Sequence, residues 1–127
     1  MRMKFALLIG VGVLCLAVPV VGHHSVAGEY DPDKPVTVKG TVTKVEWTNP
    51  HARIYLDVGD ANGPTTNWNV ELLAVSALVR NGWTRKTINV GDTVTIEGIR
   101  ARSGIPGANA RTVILSDGRK VFSGVND

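Results

Sequence analysis

The sequence predicts an all-β domain with one short helix, a small closed barrel with strands and helix in the order β-β-β-α-β-β. Three observations carry that prediction. Apolar and polar residues alternate in several short runs; groups of Gly, Pro, Asn and Asp separate those runs; and one segment between the third and fourth runs has the punctuation of a helix.

An arm over residues 23–35 leads in. Pro32 and Pro35 disfavour helix there and suit an extended or turning course. Residues 36–47 form the first strand, with apolar side chains at Val36, Val38 and Val42 and then at Val45 and Trp47. The change of parity between Val42 and Val45 calls for a bulge, and Gly40 offers a bending point. Thr48-Asn49-Pro50 is a compact turn signal. Residues 51–58 then alternate with Ala52, Ile54, Leu56 and Val58 on one face.

Asp60 to Pro64 makes the next turn, and the third strand sets Trp68, Val70 and Leu72 against Asn67, Asn69 and Glu71. Ser76 is placed to cap a helix over residues 77–81, and Gly82 to end it in a left-handed conformation. Gly91-Asp92 opens a strand with Val94 and Ile96 and a bend at Gly98. A loop over residues 103–107 precedes a strand at residues 111–115, and Asp117-Gly118 turns the chain into Lys120-Val121-Phe122. Curved strands with a helix between the third and fourth match a Greek-key barrel of the OB type over residues 36–127.

The segment before the arm has a different character. Arg2 and Lys4 precede an unbroken apolar run from Phe5 to Val18, and Val20-Val21-Gly22 presents a cleavage site. Residues 1–22 therefore read as a secretory signal, with cleavage after Gly22 and a periplasmic or secreted mature protein. The apolar run is shorter than a membrane span requires, so no stable membrane insertion is expected after cleavage. Processing removes two of the 14 Lys and Arg against 11 Asp and Glu, which leaves a nearly neutral domain without the basic run of a nucleic-acid binder. The single cysteine, Cys15, leaves as well, so disulfides, thiolate metal sites and cysteine nucleophiles are excluded.

Five segments carry a family resemblance. They are His23-His24-Ser25, residues 38–52 with the string Glu46-Trp47-Thr48-Asn49-Pro50-His51, Trp68-Asn69-Val70-Glu71-Leu72, residues 80–85, and Gly91-Asp92-Thr93-Val94-Thr95. Together they resemble a family of short exported bacterial proteins known as domain of unknown function DUF6152. The resemblance implies a periplasmic location and no particular activity.

Candidate site residues come from the three histidines. His23 and His24 stand at the expected mature terminus, and His51 at the first turn between strands. Neutral imidazole suits copper, zinc and nickel, and an α-amino group with a pKa of about 7.7–8.0 is readily freed to join it. The amine and ring of His23 with the ring of His51 would make a T-shaped copper site, an arrangement that resembles the histidine brace of exported copper proteins. A terminus at Gly22 would instead make His24 the third residue, a pattern that chelates copper or nickel through backbone nitrogens. Glu29, Glu46 and Glu71 are equal candidates to support an imidazole.

The plainer alternative is that the terminal histidines are solvated and His51 caps a turn. A further alternative is a non-metal ligand-binding or protein-interaction domain that uses Trp47 and Asn49 of the first loop. Arg100, Arg102 and Arg111 flank the 103–107 loop but read as a solvated face. No framed nucleophile or orienting acid accompanies Ser25 and His24, and no enzyme activity is expected.

Overall fold

The computed structural model describes residues 26–122 and 124. The expected signal over residues 1–22 and the His23-His24 pair lie outside the described residues. The elements are α1 (Val26–Glu29), β1 (Tyr30–Glu46), β2 (Arg53–Gly59), β3 (Thr65–Glu71), α2 (Val75–Arg80), β4 (Thr93–Ala101), β5 (Gly107–Ile114) and β6 (Lys120–Phe122). Among the described residues no helix is long and apolar enough to cross a membrane.

The sheet runs β3-β2-β1-β4-β5-β6, and a parallel pairing of β3 with β5 closes the first five strands into a ring. The result is the all-β barrel that the alternation predicts, compatible with OB-type topology. β1 makes closure possible by serving two neighbours. Tyr30 to Thr41 pairs with β4, and Thr41 to Glu46 with β2. The expected bulge falls between Val42 and Lys44, where the register with β2 shifts. Gly40 is needed where the barrel bends: a Cβ there would lie 2.5 Å from the carbonyl oxygen of Asp57.

Inward positions of every barrel strand fill the core. Val42, Ile54, Leu56, Val70, Val94, Ile96 and Val113 are essentially inaccessible, and Leu78 of α2 joins them. Removing each such side chain from water contributes roughly 1.5–3 kcal/mol. Trp68 and Trp83 are buried in the same core, and the Trp83 indole donates to the Phe122 carbonyl oxygen at 2.9 Å.

Four local expectations change. The arm is not merely a lead-in: residues 26–29 form a helical turn, and β1 begins at Tyr30 rather than Val36. Pro32 is accommodated because the pairing with β4 is interrupted between Asp31 and Pro35, so it needs no ladder hydrogen bond. α2 starts at Val75 after an Ala74 cap without a side-chain hydrogen bond, and Ser76 lies exposed inside it. There the packing of Val75 and Leu78 on the core sets the start. Gly82 follows the helix with a φ of 86°, as its position predicts.

β5 begins at Gly107, within the expected loop, because Gly107, Ala108 and Asn109 align with Asn69, Val70 and Glu71 of β3. β4 continues through Gly98 to Ala101, and its register with β5 shifts between Glu97 and Gly98. That shift reverses the facing of the strand. Val94 and Ile96 enter the main core, whereas Ile99 and Ala101 form a second small cluster with Tyr30.

Candidate functional site

Because Ile54, Leu56, Trp68 and Val70 point into the barrel, their neighbours Arg53, Asn69 and Glu71 point outward. An outward carboxylate is normally hydrated. Glu71 is instead 3% exposed, because the start of β1 brings Tyr30, itself 5% exposed, against it. Burial of a carboxylate is tolerable only when its oxygens are hydrogen-bonded. Glu71 meets that requirement with three donors. Its Oε1 accepts from His51 Nδ1 at 2.7 Å, and its Oε2 from the Tyr30 hydroxyl at 3.0 Å and Arg53 Nη2 at 2.8 Å.

Arg53 stands directly opposite Glu71 in the β2–β3 ladder, and its Nη1 also donates to Asn69 Oδ1 at 3.1 Å. The pairing is therefore built into strand register rather than into loops. Burial pushes the Tyr30 phenol up to about 12, and the neighbouring negative charge of Glu71 reinforces the shift.

His51 lies two residues before β2 and keeps a third of its side chain exposed. With Nδ1 donating to the carboxylate, the neutral ring has its remaining lone pair on Nε2. The ring lines a cleft of about 280 Å³ together with Leu73, Ile99, Asn109 and Arg111. Val26 and Ala27 of α1 line this cleft too. The arm is fastened there by Arg102, whose backbone N–H donates to the Glu29 carbonyl and whose Nε donates to that of Ala27, both at 2.9 Å.

Comparison with family models gives the chain its relatives. The model of the Family of unknown function (DUF6152) matches residues 10–110. The chain belongs to this family. The matched span contains His51, Arg53, Asn69 and Glu71, so the whole hydrogen-bonded group falls within the family's own region. No curated protein matches the chain.

Of the residues singled out in this family member's sequence, His51 occupies the cleft, while His23 and His24 lie outside the described residues. Among the described residues no group of three or more His, Cys, Asp or Glu side chains is placed to hold a metal ion. Trp47 is half-buried and packs against the core, beside a void of about 10 Å³ shared with Trp83 and Ile88. Asn49 is exposed in the turn before Pro50. Neither lines the cleft of His51.

Among the three glutamates, Glu46 pairs with Lys44 at 2.8 Å, and Glu71 holds His51 through a side-chain contact. Sequence reasoning missed Arg53 and Asn69, and it did not place Tyr30 beside Glu71. The pairing of Arg53 with Glu71 follows once the register of the second hairpin is known, whereas the place of Tyr30 depends on the arm joining β1.

Proposed function

We propose that this protein is an exported small β-barrel that binds copper at the His51 cleft. His51 Nε2 supplies one ligand, and the mature terminus, through the amine and ring of His23 or through His24, supplies the others. Residues 1–22 act as the export signal, and the protein is a binding module rather than an enzyme.

The observation that carries this reading is the 2.7 Å contact between His51 Nδ1 and the buried Glu71. A carboxylate behind the inner nitrogen fixes the tautomer and the ring orientation, an arrangement that recurs behind metal-bound imidazoles. Support also comes from the chain path. Val26, only three residues after His23, lines the His51 cleft, and three extended residues span about 10 Å. Amine and imidazole nitrogens favour copper over zinc.

The test is to purify the exported protein, record its intact mass, and titrate it with Cu(II) under electron paramagnetic resonance. A terminus at His23, one copper per chain and coupling to several nitrogens are expected, with the signal lost in His51→Ala. Undiminished copper binding by His51→Ala overturns the site.

A further inference from the structure

A second cleft, of about 320 Å³, is lined by Arg53 rather than His51. We propose that it binds a small uncharged molecule with a carbonyl head, a carboxamide above all, and an apolar body. The inference does not depend on copper.

The head is defined by donors. Arg53 is locked by Glu71 at 2.8 Å, and its guanidinium can only donate. Asn69 must therefore turn its carbonyl oxygen to Arg53, at 3.1 Å, which leaves the amide NH₂ as its other polar end. Asn69 lines the cleft, as does Ser103, and among the described residues neither the Asn69 NH₂ nor the Ser103 hydroxyl has a hydrogen-bond partner. Two donors thus stand ready for an acceptor.

Charge decides what kind of acceptor. The two cationic side chains at the cleft are already matched, Arg53 by Glu71 and Arg102 by Asp31 at 3.6 Å. An anionic head would find no unmatched cation among these two, whereas a neutral carbonyl takes both donors at no such cost.

The body follows from the remaining walls. Tyr30, Ala101 and Gly107 supply apolar surface, and Ile105 stands 60% exposed at the same cleft, a side chain that an occupant would cover. The volume is twice that of the roughly 150 Å³ cavity that accommodates benzene, and it sits at the small end of ligand sites. A single aromatic or branched aliphatic amide fits that space.

The probe is benzamide, titrated into the ¹⁵N-labelled full-length protein and followed by NMR. Saturable shifts are expected at the amides of Ser103, Ile105 and Gly107 and at the Asn69 side-chain NH₂, with a Kd on the order of millimolar for so small a probe. Benzoate, equal in shape but charged, is expected to bind about tenfold more weakly. Asn69→Asp retains an acceptor for Arg53 but replaces the outward NH₂ with an oxygen, and it is expected to weaken benzamide at least about tenfold. Ser103→Ala, on an exposed loop, gives a second variant that leaves the fold intact.

Benzamide binding is expected in the metal-free protein, which separates this site from the copper reading. Absence of saturable shifts at these residues, equal affinity for benzoate, or full affinity in both Asn69→Asp and Ser103→Ala overturns the proposal.

Discussion

Glu71 Oε1 lies 2.7 Å from His51 Nδ1, so a buried carboxylate on β3 holds an imidazole that precedes β2. The same carboxylate anchors Tyr30 and Arg53 through its other oxygen. One side chain therefore ties the fold of the arm to the orientation of the candidate ligand.

Replacing that side chain should be costly. In Glu71→Ala the guanidinium of Arg53 and the Tyr30 hydroxyl lose their shared partner, and a loss of about 3–5 kcal/mol is expected in urea denaturation. Glu71→Gln preserves the shape and isolates the charge. If His51 binds copper as proposed, that variant should remain folded and bind Cu(II) about 10–100-fold more weakly. Wild-type copper affinity in a folded Glu71→Gln protein would show that the carboxylate does not tune the ring.

The Tyr30 phenol gives the fold a dependence on alkaline pH. Its pKa rises from 10.0 to about 12 on folding because burial, then the charge of Glu71, disfavours phenolate. The folded state therefore prefers the protonated group. Its contribution is complete below pH 10 and is lost as pH rises from 10 to about 12, with a total on the order of 2–3 kcal/mol. Urea midpoints across that window should fall in the wild type and fall less steeply in Tyr30→Phe. Equal slopes would place the alkaline sensitivity elsewhere.

Gly98 should be intolerant of any side chain. It sits at the register shift of β4, and an added Cβ would collide with the backbone carbonyl of Asn109 on β5. A clash with backbone cannot be relieved by a rotamer change. Gly98→Ala should destabilise by about 1–3 kcal/mol or more, read as a lower thermal midpoint. An unchanged midpoint would mean that β4 and β5 can separate at little cost.

Arg102 should matter to the arm more than to the barrel. Its Nε holds the Ala27 carbonyl, and its side chain is nearly half exposed. Arg102→Ala is expected to speed hydrogen exchange over residues 26–30 while costing about 1 kcal/mol or less in global stability. Unchanged exchange over those residues would show that the arm is held by other contacts.

The sequence by itself determined the all-β class, the strand and helix order, the β1 bulge and the stop at Gly82, because each rests on local alternation or on residues with special backbone preferences. It also marked His51. Trp68 alternates with polar neighbours in the sequence, and it is buried.

Tertiary structure decided which glutamate supports His51. Glu29, Glu46 and Glu71 are equivalent as letters, and only the pairing of β2 with β3 and the return of Tyr30 along β4 bury one of them among donors. The early start of β5 likewise needed β3 as a parallel partner, and the extension of β1 through Pro32 needed an interruption in the ladder to receive it. Local sequence sets which residues alternate; closure of the barrel sets which outward residues leave water, because burial on the outer face comes from segments distant in the chain.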